Sequence, residues 1–165
     1  GIIERLLEVE KLSDRQLSIK RASFDLVEMV QQLKAGLPAA NRVQIEAPTG
    51  LLMETDASFV QIILSNLIDN ALKYGAADQP IRIQISAQQD VARIQVSNPI
   101  GSAGAPDPER VFDKYYRAPR AHESTGSGLG LYLTRALVDL LGGRIHYTHD
   151  AGFIFFSVTL PKRSA

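Results

Sequence analysis

Two seven-residue runs, IRIQISA at 81 to 87 and VARIQVS at 91 to 97, alternate apolar and polar residues around the polar turn Gln88, Gln89, Asp90. Period-two alternation gives each run one apolar and one wet face, so the pair reads as an antiparallel hairpin. Its apolar face needs a second layer to cover it. The rest of the chain supplies that layer as amphipathic helices. Residues 56 to 75 predict a helix capped by Asp56 and ended by Gly75, about 30 Å long at ~1.5 Å per residue. A second, with Leu26, Val27, Met29, Val30 and Leu33 as its apolar positions, is capped by Ser23 and stopped by Gly36 and Pro38. A third begins near residue 128, turns Leu129, Leu133, Ala136, Leu137 and Leu140 inward, and stops at Gly142.

Further strands are predicted at 17 to 24, at 43 to 47 and 51 to 55 as a hairpin across Pro48, Thr49 and Gly50, and at RIHYTH and FIFFSVTL before Pro161. From Asn98 to Ser127 regular patterning fails, apart from a helical turn around DPERVF. A stretch that long inside a compact domain is characteristic of a functional lid. The expected fold class is α+β: a two-layer sandwich with a mixed, mostly antiparallel sheet of about five strands on three helices.

Charge and composition narrow the function classes. The 165 residues hold 18 Lys and Arg against 18 Asp and Glu, so no net field draws the chain to nucleic acid, and any anion must be held by local groups. With no Cys there is no disulfide, thiolate metal site or cysteine nucleophile, which fits the cytoplasm. Apolar runs fall short of the ~18 residues of a membrane span, and the N-terminus does not read as a signal peptide. Residues 1 to 12 carry Ile2, Leu6, Val9 and Leu12 at helical spacing without an N-cap, and read as the end of a helix begun elsewhere.

Two features carry candidate chemistry. On the 56 to 75 helix, Asn66, Asn70 and Lys73 share a stripe with Phe59, Ile62 and Ile63, where core residues belong. Either the amides bond to nearby backbone and Lys73 reaches solvent, or an Asn oxygen ligates a hard cation such as Mg²⁺ while Lys73 meets phosphate. The second feature is Gly126, Gly128 and Gly130 in TGSGLGLYL, where an irregular loop enters a helix. Glycines there permit close backbone approach, and free N–H groups at a helix start suit phosphate. Neither the P-loop nor the dinucleotide fingerprint is present, and glycine punctuation of a loop is the plain alternative.

NLIDNALKY at 66 to 74, FDKYYR at 112 to 117, GSGLGLYL at 126 to 133 and the Gly142-Gly143 pair together resemble the ATP-binding catalytic domain of bacterial sensor histidine kinases. The first three resemble its N, F and G2 boxes, and the coarse fold resembles its Bergerat-type sandwich with a long ATP lid. The resemblance covers about residues 20 to 162. It implies Asn70 as ligand of the Mg²⁺ that bridges the phosphates, Asn66 in support, Lys73 on phosphate and Tyr74 packed at the nucleotide. It implies Phe112 as lid anchor, Tyr116 beside it, and Arg117 placed to reach the γ-phosphate. Gly126, Ser127, Gly128, Leu129, Gly130 and Leu131 would cradle phosphates through their amides. Asn98 and Ile100 fall on the G1 box, where the family has Asp-x-Gly-x-Gly and this chain has Asn98, Pro99, Ile100, Gly101 and Ser102. The family's Asp accepts from the adenine amino group; Asn98 keeps an acceptor oxygen without the charge. Phe153 and Ile154 stand where a Thr near adenine is usual.

Related gyrase, MutL and heat-shock ATPases of this fold carry Glu as general base at the position of Asn66, and an amide cannot take a proton at neutral pH. The resemblance thus implies a protein-histidine kinase domain that holds ATP and Mg²⁺ for a nucleophile elsewhere. That nucleophile would be a His on a dimerisation domain absent from this chain, with a response regulator downstream and a full-length homodimer as the assembly. Residues 1 to 15 would be the stub of the dimerisation domain and its linker, and 16 to 165 the catalytic domain. The domain is expected in the cytoplasm, with an inner-membrane anchor in the parent protein left open. His122 reads as a solvated loop residue, and His146 and His149 as surface or half-buried. A degenerate, weakly or non-ATP-binding domain acting as a regulatory interaction module is the alternative.

Overall fold

The computed structural model describes residues 18 to 76, 78 to 102, 104 to 113 and 130 to 164. Its elements in chain order are β1 (Ala22–Asp25), α1 (Leu26–Ala35), β2 (Val43–Glu46), β3 (Leu52–Thr55), α2 (Ala57–Tyr74), β4 (Ile81–Gln88), β5 (Val91–Pro99), α3 (Gly130–Leu140), β6 (Arg144–Asp150) and β7 (Phe153–Pro161). A five-stranded sheet has the order β2-β4-β5-β7-β6, and β1 with β3 forms a separate pair. Of the pairings described within the main sheet, β2–β4 alone is parallel, so that sheet is mixed. The expected α+β two-layer sandwich is the observed fold.

The alternation in sequence sets the layers. Ile83 and Ile85 of β4 lie in register with Val96 and Ile94 of β5 and so with their β7 partners Phe156 and Val158, Ile81 pairs with Val43 of β2, and all are buried. Arg82, Gln84 and Ser86 of β4 turn to the other, wet face. Helix α2 crosses the apolar face, packs along α3 and touches β5, while α3 also contacts β6. Phe59, Ile63, Leu64, Leu67 and Ile68 of α2 and Leu137 and Val138 of α3 are almost wholly buried there. At ~25 cal/mol per Å², burial of such side chains is worth about 1.5 to 3 kcal/mol each and dominates the stability of the domain.

Asp56 caps α2 as expected: its Oδ1 accepts from the Phe59 amide at 3.2 Å and the Ser58 hydroxyl at 2.7 Å. Its Oδ2 accepts from the Lys20 amide at 2.9 Å, fastening the segment that leads into β1. Helix α1 departs from expectation in its cap. Ser23 lies inside β1, paired with Glu54, and Asp25 caps the helix through Val27 N–H at 2.9 Å and Glu28 N–H at 3.3 Å. The first strand accordingly occupies residues 22 to 25 rather than 17 to 24.

The expected hairpin of 43 to 47 with 51 to 55 does not form. β2 joins β4 in the main sheet, whereas β3 pairs antiparallel with β1. Asp25 again decides: its Oδ1 accepts from the Leu51 amide at 3.2 Å, and Leu26 N–H donates to the Leu51 carbonyl at 2.9 Å, so the chain after Gly50 is held against β1. Two later boundaries also extend past expectation. β5 runs through Asn98 to Pro99, and β7 includes Pro161, which pairs with Val91.

Candidate functional site

The stripe on α2 runs from core to surface as it leaves the sheet. Phe59, Ile62 and Ile63 are buried, Asn66 and Asn70 half-buried, and Lys73 exposed. Lys73 reaches Asp69 one turn back, Nζ to Oδ2 at 3.0 Å, with both side chains partly in water. Such a pair contributes a few tenths of a kcal/mol and leaves the amine at the site's rim. The Asn70 carboxamide makes no hydrogen bond to a described residue. Asn66 is engaged: its Nδ2 donates to the Gly130 carbonyl at 3.3 Å and to Thr134 Oγ1 at 3.2 Å, joining α2 to the first turn of α3.

The end of α2 meets the end of β5. Strand alternation that points Ile94 and Val96 at the helices points Asn98 there too, and only 4% of Asn98 is exposed. Its Nδ2 donates to the Pro99 carbonyl at 2.9 Å. Beyond it the chain is laced to the helix end: Ala76 N–H donates to Pro99 O at 3.1 Å, Gly101 N–H to Tyr74 O at 3.2 Å, and Gly75 bridges Ile100. A Cβ on Gly101 would lie 2.6 Å from Tyr74 O and 2.7 Å from Gly75 O, so only glycine permits this approach. Ile100 is half-buried against the core, and its amide donates to Gly152 O at 2.8 Å.

The segment after β5 is rooted in the same layer. The DPERVF turn forms, with Arg110 and Val111 amides donating to Asp107 O at 3.0 and 2.8 Å. Val111 is buried, and Phe112 packs edge-on against Phe156, centroids 6.3 Å apart, beneath the Arg135 guanidinium at 5.5 Å. Tyr147 donates its hydroxyl to Pro106 O at 2.7 Å and so ties that segment to β6. Gly130 opens α3, and Leu131 packs partly into the core.

The structure therefore gathers Asn66, Asn70, Lys73, Tyr74, Asn98, Ile100, Gly130 and Leu131 around the C-terminal half of α2, while Phe112 packs between Phe156 of β7 and Arg135 of α3. Tyr116, Arg117, Gly126, Ser127, Gly128 and Leu129 lie outside the described residues, as do His122 and residues 1 to 15. His146 and His149 are exposed on β6. Among the described residues no three His, Cys, Asp or Glu side chains cluster to hold a metal. No helix among them is long and apolar enough to cross a membrane. Sequence reading missed Thr134, Arg135 and Tyr147. Thr134, a fully buried polar residue on an otherwise apolar helix face, was the one with a visible signal.

Comparison with known proteins decides the kinship. The family described as histidine kinase-, DNA gyrase B- and HSP90-like ATPase matches residues 55 to 164. The chain belongs to this ATPase family. The sensor protein KdpD of Escherichia coli is 29% identical over 171 residues, which cover 99% of this chain and 19% of KdpD. The chain thus spans about a fifth of that relative. Among solved structures, the catalytic domain of histidine kinase ThkA superposes with a TM-score of 0.73 at 22% identity, covering 87% of this chain and 97% of that one. Full-length ShkA in complex with AMPPNP gives a TM-score of 0.76 at 21% identity, covering 99% of this chain and 36% of that one. The resemblance read from the boxes is borne out: this is a histidine-kinase-like ATPase domain with sensor-protein relatives and the fold of histidine kinase catalytic domains.

Proposed function

We propose that the domain binds Mg²⁺-ATP between the C-terminal half of α2, the turn after β5 and the start of α3, and presents the γ-phosphate to a histidine on another domain. The observation that carries the reading is the pair of half-buried carboxamides, Asn66 and Asn70, one turn apart on the α2 face that meets the start of α3. Among the described residues Asn70 offers an unengaged carboxamide, and its oxygen suits a hard cation. Mg²⁺ keeps waters and takes few protein ligands when a nucleotide supplies phosphate oxygens, so the donor set fits a metal that arrives with ATP. When bound there, the ion would neutralise charge on the transferring phosphoryl group.

The remaining work falls to this chain's own groups. The first-turn amides at Gly130 and Leu131 can donate to phosphate, with Ser127, Gly128 and Leu129 continuing the cradle. Lys73, free to leave an exposed ion pair, and Arg117 would add positive charge. Asn98 would offer the base an acceptor oxygen, its Nδ2 being held by Pro99 O. Tyr74, Ile100 and Phe112 would wall the nucleotide, with Tyr116 and Gly126 completing the lid. Neither Asn66 nor Asn70 can serve as a general base, which supports transfer to an external nucleophile over hydrolysis. The acceptor would be a His on a dimerisation domain, within a homodimer that passes the phosphoryl group to a response regulator.

A second reading, a domain that holds nucleotide weakly and works by docking, is favoured by the neutral Asn98 and the missing G1 glycines. Titration calorimetry with a non-hydrolysable ATP analogue separates the two. Wild type is expected to bind in a Mg²⁺-dependent manner with a Kd of micromolar order, about −8 kcal/mol. Asn70→Ala and Asn70→Asp should abolish or strongly alter that dependence while leaving the circular dichroism spectrum unchanged. Unchanged binding in both variants overturns the site.

A further inference from the structure

Thr134 has no exposed surface, yet it sits on the α3 face whose neighbours Leu133, Leu137 and Val138 form the core. Its hydroxyl donates to the Gly130 carbonyl four residues back at 2.7 Å, a bond any helical Thr can make. That bond alone is local. What exceeds it is the amide arriving from the other helix, because Asn66 Nδ2 donates both to Thr134 Oγ1 at 3.2 Å and to Gly130 O at 3.3 Å. With its proton on Gly130 O, the Thr134 hydroxyl can only accept from Asn66, so the three groups form a closed set with every direction fixed.

We propose that Thr134 is a positioning residue for the nucleotide site: with Gly130 O it captures the Nδ2 of Asn66 and so turns Asn66 Oδ1 away from α3. The two prongs of a carboxamide point apart, and engaging the nitrogen settles where the oxygen faces. The same clasp fixes the start of α3, whose first amides bear on phosphate in the reading above. It also specifies an amide at position 66. A carboxylate there would set an anion against the Gly130 carbonyl and could bond only by drawing the Thr134 proton off Gly130 O, so the closed arrangement needs the Nδ2 donor of an amide. The inference rests on the proposed ATP site.

The test compares Thr134→Val, which keeps the shape and removes the hydroxyl, with Thr134→Ser, which keeps the hydroxyl. Three readouts are taken: affinity for a Mg²⁺-bound non-hydrolysable ATP analogue by calorimetry, the Asn66 side-chain amide resonances of the nucleotide-free protein, and the urea midpoint. The expectation is that Thr134→Val weakens binding about tenfold, the scale of one lost hydrogen bond, and moves the Asn66 resonances, while Thr134→Ser stays near wild type in both. In an Asn66→Ala background, Thr134→Val should then change affinity little. Should Thr134→Val not fold, Thr134→Ala removes the same hydroxyl without adding a methyl and carries the same expectation. A lowered urea midpoint with unmoved affinity means that Thr134 only packs, and overturns the inference alone. Failure of the wild type to bind the analogue overturns the ATP-site reading and this inference with it.

Discussion

At Gly101 one hydrogen atom in place of a methyl lets the chain after β5 lie on the carbonyls that end α2. Gly101→Ala would set its Cβ against Tyr74 O and Gly75 O, both backbone atoms that cannot swing aside. A loss of about 1 to 3 kcal/mol in urea unfolding is expected, the usual cost of overpacking, together with weaker nucleotide binding, because Tyr74 and Asn98 flank the contact. At this scale much of the site was legible. A period of 3.6 was enough to place Asn66 and Asn70 on the face that carries Phe59 and Ile63, since helical periodicity needs no knowledge of the partner. Thr134 was not legible as the partner of Asn66, because the bond between them spans 68 residues and no local rule encodes it. Asn98 stands between these cases: its residue type was readable, whereas its inward direction depended on β5 running through to Pro99.

Among the elements, local signals held and long-range pairings decided the rest. The β4–β5 hairpin and the α2 cap follow from adjacent residues, and both formed where expected. The pairing of β2 and β3 was misread because Pro48, Thr49 and Gly50 punctuate the chain without specifying a two-residue turn. Asp25, more than twenty positions earlier, holds Leu51 and sends β3 to a different sheet. Asp56 has a comparable reach, gathering Phe59 N–H, Ser58 Oγ and Lys20 N–H on one buried carboxylate. Asp56→Ala should therefore cost about 2 kcal/mol by urea denaturation, the upper end of the range for a cap, with protection of the Lys20 amide from hydrogen exchange lost. Retained Lys20 protection in that variant would show that the segment before β1 is held by other means.

Across the whole molecule, neutral net charge leaves acid stability to individual carboxylates. Asp25 is held below the ordinary Asp value chiefly by the Leu51 amide and then by those of Glu28 and Val27. Glu54 is lowered by its hydrogen bond to Arg163, 2.7 Å long, and by that residue's charge. Both folded values lie below the unfolded ones, so their stabilisation is complete above the unfolded carboxylate range, about pH 4, and is lost as pH falls through the folded values. The urea midpoint should hold from neutral pH to about pH 5 and drop below it, and Asp25→Asn should flatten part of that drop. An unchanged acid profile in Asp25→Asn would remove Asp25 from the account.

The two-layer arrangement leaves one face of the sheet wet and places every described candidate residue on the helical side or at its rim. The most direct measurement is therefore a ¹⁵N-resolved NMR titration of the domain with the Mg²⁺-bound non-hydrolysable ATP analogue. Resonances of Asn66, Asn70, Gly75, Asn98, Gly101 and Gly130 are predicted to move, while Gln84, Arg93, Gln95 and His146 on the wet face stay in place. Shifts confined to the wet face, or no shifts at millimolar ligand, would contradict the account.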